Sequence, residues 1–395
     1  MKLFLSVKAI RILKSFWLRR WRSGGAQVQR NLLAAESAFF SATATEHLAL
    51  MLEVLKRLVA DPYVAFLCPI VPTRAFHRAC EIALTAGDFT RGRALLQVGN
   101  MFKLQAMSRW WNEMPPNPTG ASRRFHTQLQ VRYLLGLPQL QERVGVQPKS
   151  LAPARGALPN VEVHSICVYK DDPTSNTGVQ SPLPQWASAN HRAYAAKHGL
   201  EYVLHTELLL PDREAHYSKM LVVYQRLQQF IQAFSNPQYH VPEWILFIDC
   251  DAFFTNFDIA VEDIIDAYGS PSTQFMVAED TGGINTGVFL ARRSQWTLDY
   301  LARVAVNPFT IAWDQSMFFM EILMPGLLDS TKPFALPTEV GFVHQKHLNA
   351  FVPPASRDWL AYEWQPGDFI RHFAGCPWQE KPCYEMMAET AQILS

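Results

Sequence analysis

The stretch from Trp244 to Asp258 constrains the fold of this chain more than any other. Trp244 to Ile248 is a continuous apolar run without polar alternation, which is typical of a strand covered on both faces of a mostly parallel sheet. Asp249 and Asp251 follow directly, at the edge where open α/β sheets bind ligands. In extended chain, side chains two residues apart point the same way, so both carboxylates are expected to reach one Mg²⁺ or Mn²⁺ ion. The alternative is an ordinary turn with solvated aspartates.

From Val161 onward, apolar runs alternate with helical patterns, and Gly199 ends one helix in the usual C′ position. The predicted elements are strand Val161–Tyr169, helix Gln185–His198, strand Glu201–His205, helix Tyr217–Phe234, strand Trp244–Ile248 and strand Thr273–Ala278. Such alternation predicts βαβ units on a parallel sheet. The chain has neither a G-x-G-x-x-G nor a Walker-type loop, which disfavours dinucleotide-binding and P-loop enzymes.

Size and composition limit the classes to which the chain can belong. A chain of 395 residues has room for two or three domains, and a net charge of +1 argues against nucleic acid as a partner. Its six cysteines include no C-x-x-C pair and do not form a disulfide scaffold. Cys376 and Cys383 are close enough in sequence to be bridged, although free thiols are the simpler interpretation.

Residues 1–30 form a basic amphipathic segment, because no Asp or Glu precedes Glu36. Residues 3–21 fit a helix with a basic stripe, and no run of about 18 apolar residues predicts a transmembrane span. The hypotheses are a helix lying on an anionic membrane surface, a targeting segment, or a frayed basic terminus.

Three further regions follow. Residues 31–112 are helical in period and predict a small helical domain of unknown role, with a helical break at Gly87-Asp88. Residues 113–160 are punctuated by proline and predict a linker with one embedded helix. Residues 161–395 carry the strand and helix pattern and form the last predicted domain. The helical domain is a candidate binding site for a protein partner.

Six motifs occur in one order along the second half of the chain. They are His216–Lys219, Ile245–Asp251, Gly283–Trp296, Trp313–Gln315, Phe342–Phe351 and Gln365–Cys376. In these motifs the segment 161–380, somewhat more than half of the chain, resembles the retaining glycosyltransferases of family 34, the galactosyl-, mannosyl- and xylosyltransferase group. The resemblance implies an α/β fold of the GT-A type, which binds a nucleotide sugar on a mostly parallel sheet.

The resemblance also implies a metal site made by Asp249, Asp251 and His372. A mixed oxygen and imidazole set suits Mn²⁺ better than Mg²⁺, and the cation would stabilise the diphosphate of a nucleotide-sugar donor. Taken alone, His372 would be interpreted as a satisfied core or loop histidine.

Family members carry out a same-face substitution without a committed protein nucleophile. The resemblance therefore places Asp314 and Gln315 beside the anomeric carbon, where they hold donor hydroxyls and stabilise oxocarbenium character. It places Asn285 and Gly287 along the donor sugar, with glycine allowing close approach. A plain turn between strands is the alternative for Asn285 to Gly287.

Lysine can bind a phosphate as a mobile point charge, and Lys219 is one candidate, with a solvated lysine as the alternative. The family usually places a lysine directly after the cysteine of its closing motif, to which Gly375 belongs. Here Pro377 stands in that position, and Lys381 follows four residues later. Gly375 and Lys381 are accordingly expected to contact the donor.

The favoured hypothesis is a metal-dependent retaining glycosyltransferase that uses UDP-galactose, UDP-xylose or GDP-mannose and a glycan acceptor. One alternative is a helical interaction module that carries a degenerate transferase domain. Another is an inverting enzyme with Glu279 or Asp280 as general base. The expected location is membrane-associated, in the Golgi if the source is eukaryotic, with the cytoplasmic face of a membrane as the alternative.

Overall fold

The computed structural model describes most of the second half of the chain and two helical pieces of the first. The described residues are 44–59, 70–96, 98–99, 160–168, 182–209, 215–234, 236, 238–280, 283–306, 313–352, 362–374 and 382–393. The basic segment 3–21, the linker 113–159, Gly375 and Lys381 lie outside them.

The chain divides into two compact units. One comprises Met1–Met114 with Leu323–Ala335, and the other comprises Pro115–Ile322 with Leu336–Ser395. The predicted domain boundaries at 30/31, 112/113 and 160/161 stay predictions.

The first unit contains two helices that pack on each other, α1 (Ala44–Val59) and α2 (Ile70–Thr85). Each has an apolar face, and Leu52 and Phe76 are fully buried. The predicted break at Gly87-Asp88 is confirmed: Gly87 takes a positive φ of 80°, and residues 89–96 resume the helix. Such a φ favours glycine because a Cβ is strained there.

The second unit is built on a mixed six-stranded sheet with helices packed against it. Its elements are β1 (Val161–Ile166), α3 (Leu183–His198), β2 (Glu201–His205), α4 (Lys219–Ala233), β3 (Trp244–Ile248), β4 (Ala252–Phe254), α5 (Val261–Tyr268), β5 (Phe275–Asp280), β6 (Gly283–Arg292), α6 (Gln295–Val306), α7 (Trp313–Leu327), β7 (Val340–Val343), α8 (Gln345–Leu348), β8 (Ala350–Phe351), β9 (Ile370–His372) and α9 (Pro382–Ile393). The end of α7, from Leu323 onward, is grouped with the first unit.

The strand order of this sheet is β2-β1-β3-β6-β5-β7. The pairs β1–β2, β1–β3 and β5–β7 are parallel, whereas β6 runs antiparallel to both β3 and β5. The predicted mostly parallel α/β fold is confirmed, and the predicted strand Trp244–Ile248 is confirmed residue for residue.

Burial on both faces explains the unbroken apolar run of β3. Leu246 and Ile248 belong to the core cluster that includes Tyr194 of α3. Phe247 stacks on Phe289 at 5.2 Å on the other face. A strand covered by helices on both sides gains nothing from polar alternation.

Strand β6 corrects one expectation, because Asn285 to Gly287 lie inside a strand and the plain-turn alternative is wrong. The pairing of β6 with β5 shifts register at this point: Val277 pairs with Phe289, whereas Ala278 pairs with Asn285. The intervening residues 286–288 therefore bulge away from β5. A bulge of this kind re-aims side chains at the end of a strand.

A second sheet of order β4-β9-β8 follows the carboxyl end of β3. Strand β9 pairs antiparallel with β4, with His372 opposite Ala252, and parallel with β8. A residue more than a hundred positions away in sequence is thereby placed beside the Asp-Cys-Asp segment.

The structure adds a disulfide that the sequence does not predict, between Cys167 and Cys250, with a Cα–Cα distance of 5.2 Å. Cys167 follows β1 and Cys250 follows β3, and these strands are parallel neighbours. Adjacent strands about 4.8 Å apart bring their ends within bridging distance. Cys80 is free and buried, whereas Cys376 and the side chain of Cys383 lie outside the described residues.

Stability should depend on pH through His191, which is fully buried and whose Nε2 lies 2.7 Å from the carbonyl oxygen of Ala252. Burial lowers the pKa of His191 to about 4, against an ordinary value of 6.5. The unfolded chain therefore binds the proton more readily between these values, and the free energy of unfolding falls as pH drops from about 6.5 to about 4. We expect a loss of about 2 kcal/mol between pH 7.5 and pH 5 from this group.

The His191→Gln variant keeps a donor for the Ala252 carbonyl but cannot titrate. Urea unfolding of both proteins at pH 7.5 and pH 5 measures the difference between their pH dependences, in which the contributions of other groups cancel. Parallel pH profiles for the two proteins would show that His191 does not carry this dependence.

Candidate active site

Asp249 and Asp251 lie on a turn at the end of β3, where the Ala252 amide donates to the carbonyl oxygen of Asp249 at 3.1 Å. The expectation that both carboxylates share one face of an extended strand is wrong, because the strand ends at Ile248. The turn is also fixed from outside, since the Asp249 amide donates to the carbonyl oxygen of Gly287 at 2.7 Å. Asp251 is only 9% exposed, so the alternative of solvated aspartates is wrong for this residue.

Asp249, Asp251 and His372 each offer a ligand atom, and these atoms lie within 4.8 Å of one another. His372 Nε2 is 3.4 Å from Asp251 Oδ1, and the histidine ring is buried. Two carboxylate oxygens and one imidazole nitrogen form a donor set that fits a divalent cation, and the imidazole favours Mn²⁺ over Mg²⁺. The three predicted metal ligands are thus brought together.

Lys219 lies beneath this cluster and is only 1% exposed, so the solvated-lysine alternative is wrong. Its Nζ is 2.9 Å from Asp249 Oδ2, 3.1 Å from the carbonyl oxygen of Thr286 and 3.3 Å from Asp314 Oδ2. An ammonium has three protons to donate, and three acceptors surround it here. A phosphate contact would require one of them to be given up.

Asp314 lies in the first turn of α7 and is buried. Its Oδ2 accepts a hydrogen bond from Thr286 Oγ1 at 2.7 Å, in addition to the contact with Lys219. Gln315 follows it in the helix and is half-buried. Both predicted catalytic residues therefore lie at the start of α7, and Asp314 contacts Lys219 of the cluster.

The electrostatics of the cluster reflect an excess of carboxylates. Burial raises the pKa of Asp249 to about 6; Lys219 opposes this shift, and the carboxylates of Asp251 and Asp314 reinforce it. Burial alone would lower the pKa of Lys219, but Asp249 and Asp314 outweigh burial and hold that pKa above its usual value. Lys219 is accordingly charged, and it compensates only part of the negative charge around it.

Asn285 and Gly287 support the histidine. The Gly287 amide donates to Asn285 Oδ1 at 2.9 Å, and a Cβ at Gly287 would lie 2.3 Å from His372 Cε1. Only glycine leaves room for the imidazole at this distance.

Sequence reasoning missed two residues of this site, Thr286 and Asn349. Thr286 contacts both Lys219 and Asp314, and the buried Asn349 contacts both Asn285 and His372. Each lies within a motif quoted above, but nothing in the spacing of the motifs pairs their side chains. Gly375 and Lys381 lie outside the described residues.

The sheet and this cluster define an α/β protein with a carboxylate and imidazole site at the end of its central strand. The model of the galactosyl transferase GMA12/MNN10 family, glycosyltransferase family 34, matches residues 165–268 and 265–383. This is more than half of the chain, and the protein belongs to that family.

Curated relatives match the same half. The probable alpha-1,2-galactosyltransferase gmh2 of Schizosaccharomyces pombe is 28% identical over 236 residues, 51% of this chain and 62% of the relative. An alpha-1,2-galactosyltransferase of the same yeast is 26% identical, over 54% of this chain and 62% of the relative. The probable alpha-1,6-mannosyltransferase MNN10 of Saccharomyces cerevisiae is 23% identical, over 51% of this chain and 58% of the relative. The match spans about three fifths of the length of these relatives.

Among solved structures, a glycosyltransferase involved in glycosylation of the major capsid of PBCV-1 superposes with a TM-score of 0.42 at 15% identity. The superposition covers 60% of this chain and 98% of that one.

Replacing Lys219 with methionine should destabilise the fold, because Asp249 and Asp314 would lose their buried counter-charge. Removing one partner of a buried ion pair costs about 3 kcal/mol or more in the free energy of unfolding, which urea denaturation measures. Lys197→Met is the matched control, since Lys197 pairs with Asp258 at the exposed surface, and it should change little. Equal effects of the two substitutions would contradict the buried role of Lys219.

Replacing Gly287 with alanine should displace the His372 ring and weaken Mn²⁺ binding by about 10-fold, in the range seen when a ligand loses its support. Calorimetric titration of the metal-free protein with Mn²⁺ measures the change. Gly326→Ala is the control, because a Cβ there meets Phe334 at an ordinary contact of 3.4 Å. Unchanged affinity in Gly287→Ala would show that His372 has space to move or is not a ligand.

Proposed function

We propose that this protein transfers a hexose or pentose from a nucleotide sugar to a glycan acceptor, with an α linkage and with retention of configuration at the anomeric carbon. The single observation that carries the proposal is the convergence of Asp249, Asp251 and His372 beside the Lys219–Asp314 pair, in a chain of this transferase family. Such a set argues against the alternative of a degenerate transferase carried by a helical interaction module.

UDP-galactose is the first donor to test, because the named relatives include alpha-1,2-galactosyltransferases. GDP-mannose comes next, since one relative is a probable mannosyltransferase. UDP-xylose completes the proposed set on the sequence resemblance.

Asp249, Asp251 and His372 would hold Mn²⁺, with Mg²⁺ as a second choice. A cation bound there would neutralise negative charge on the diphosphate leaving group as the glycosidic bond to the donor breaks. The protein's own contribution is to fix these ligands in advance: Lys219 and the Gly287 carbonyl hold Asp249, and the close approach of Gly287 fixes the position of the histidine ring.

Asp314 and Gln315 are the proposed catalytic residues. Because Asp314 Oδ2 already faces Thr286 Oγ1 and Lys219 Nζ, we assign Asp314 an electrostatic role toward the developing oxocarbenium charge rather than that of a nucleophile. Gln315 would hold a donor hydroxyl. The inverting alternative needs a general base such as Glu279 or Asp280 at the end of β5, and the anomeric configuration of the product separates the two reactions.

Donor binding would use Asn285 and Gly287 on β6, with Gly375 and Lys381 from the closing motif. Lys219 was a further candidate for a phosphate contact. Because its three protons are directed at Asp249, Thr286 and Asp314, we assign that contact to Lys381 and a positioning role to Lys219.

The proposed setting is a membrane surface of the Golgi lumen, contacted through residues 3–21, with a protein as partner of the helical unit. The Cys167–Cys250 disulfide supports an oxidising compartment, which favours the lumen over the cytoplasmic face. None of the helices among the described residues is long and apolar enough to cross a membrane.

The test is donor hydrolysis and transfer by the purified protein, screened over UDP-galactose, GDP-mannose and UDP-xylose with and without Mn²⁺. Turnover of one donor should require the metal and should fall at least about 100-fold in Asp251→Asn and His372→Ala. Asp258→Asn is the control, since the side chain of Asp258 is 89% exposed and pairs with Lys197 at the surface.

NMR of the product with a glycan acceptor then reports the linkage, which should be α. An enzyme that neither binds Mn²⁺ with nucleotide nor turns over any donor would overturn the proposal and favour the interaction module.

A further inference from the structure

A chain of buried amides leads from the backbone of β6 to the ring of His372. The Gly287 amide donates to Asn285 Oδ1 at 2.9 Å, and Asn349 Nδ2 donates to the same oxygen at 2.7 Å. At its other end, Asn349 Oδ1 lies 2.7 Å from His372 Nδ1. Asn285, Asn349 and His372 are all buried, and Asn349 has no exposed surface.

The Gly287 amide, the first group in this series, fixes the direction of every hydrogen bond that follows. A backbone N–H can only donate, so the Asn285 atom facing Gly287 must be its oxygen. The Asn349 atom facing that oxygen must then be the amide nitrogen, which leaves the Asn349 oxygen facing the imidazole. An oxygen can only accept here, so His372 Nδ1 carries the proton.

We propose that Asn349 is a positioning residue that holds His372 in the Nδ1–H tautomer, which leaves the lone pair on Nε2 for the cation. The inference rests on the proposed metal site. It also gives a role to the motif Phe342–Phe351, which contains Asn349 and to which the proposed function assigns none. Nε2 is the atom that faces Asp251 Oδ1 at 3.4 Å. A neutral histidine binds a metal only through its unprotonated nitrogen, and the partner of the other nitrogen selects which one that is.

The surroundings of Asn349 fix its backbone and make a reversed side-chain amide unfavourable. Asn349 is the C-cap residue of helix α8, and its backbone amide donates to the backbone carbonyl oxygen of Gln345 at 2.7 Å. Gln345 Nε2 donates to the Asn349 carbonyl oxygen at 3.3 Å. The Phe351 ring meets the imidazole of His372 nearly edge to face, with centroids 5.4 Å apart. A reversed side-chain amide would set its oxygen against Asn285 Oδ1, which costs a hydrogen bond in a buried site, and would present its nitrogen to Nδ1, which would then have to be the unprotonated ring nitrogen.

The first readout needs no metal and no donor. In the metal-free protein above pH 7.5, ¹⁵N-labelled histidine NMR reports which ring nitrogen of His372 carries the proton, with His372→Gln identifying the signal. We expect the Nδ1–H form in the wild type. We expect a shift toward the Nε2–H form in Asn349→Leu, which removes the acceptor, and in Asn285→Leu, which frees the Asn349 amide to turn over. Asn285→Asp keeps the acceptor for both donors and should retain the wild-type tautomer.

The second readout is Mn²⁺ affinity, measured by calorimetric titration of the same proteins. Asn349→Leu and Asn285→Leu should bind Mn²⁺ about 10- to 100-fold more weakly than the wild type, as for other losses of a residue that orients a metal ligand. Asn190→Leu is the matched control, because Asn190 is a buried asparagine whose side-chain amide bonds to the backbone of Phe254 at both its oxygen and its nitrogen. It should lower the melting temperature without changing the His372 tautomer.

The outcomes separate this inference from the proposed function. An Nε2–H tautomer in the wild type, or an unchanged tautomer in a folded Asn285→Leu or Asn349→Leu, overturns the role of Asn349. If Asn349→Leu fails to fold, the wild-type tautomer and the Asn285 pair still decide the question. A wild-type protein that has the Nδ1–H form but does not bind Mn²⁺ overturns the metal site and leaves the hydrogen-bond chain standing.

Discussion

The register shift of β6 against β5 is the constraint on which the rest of the site depends. Because residues 286–288 leave β5 while Val288 still pairs with Ile248 of β3, the bulge presents backbone and side chains to the end of the central strand. Thr286 reaches Lys219 and Asp314, and the Gly287 carbonyl holds Asp249. A regular strand would point alternate side chains to opposite faces and could not serve all these contacts from consecutive residues.

The arrangement concentrates charge that the protein alone does not balance. The carboxylates of Asp249 and Asp314 contact one lysine, Lys219, and the carboxylate of Asp251 lies close to that of Asp249. Three carboxylates and one lysine leave an excess of acidic groups, and a divalent cation brings charge of the opposite sign. Lys219 holds Asp249 and Asp314 together and therefore would not compete with a cation at the three candidate ligands.

The sequence predicts the central strand and the two aspartates of the candidate metal site from local signals, whereas His372 is assigned by the family resemblance. The run Trp244–Ile248 is apolar at every position, and Asp249 and Asp251 follow it directly. The sequence predicts less well how these residues meet: the carboxylates converge through a turn, and the strand β6 is not among the predicted elements. The Cys167–Cys250 disulfide and the Asn349–His372 contact join residues 83 and 23 positions apart. Such pairs are set by strand neighbours and by a bulge, and no local pattern encodes them.

The position of His372 depends on the small sheet in the same way. Its place opposite Ala252 is set by the pairing of β9 with β4, and the Phe373 amide donates to the Asp251 carbonyl at 2.8 Å, which locks that register. A slip of one residue would turn every side chain of β9 to the other face. Arg371 or Phe373 would then meet the aspartates, and neither offers a lone pair to a cation. The Cys167–Cys250 disulfide anchors the same turn to the end of β1. Strand register and a covalent bond therefore fix the positions of Asp249, Asp251 and His372 in the absence of any bound cation.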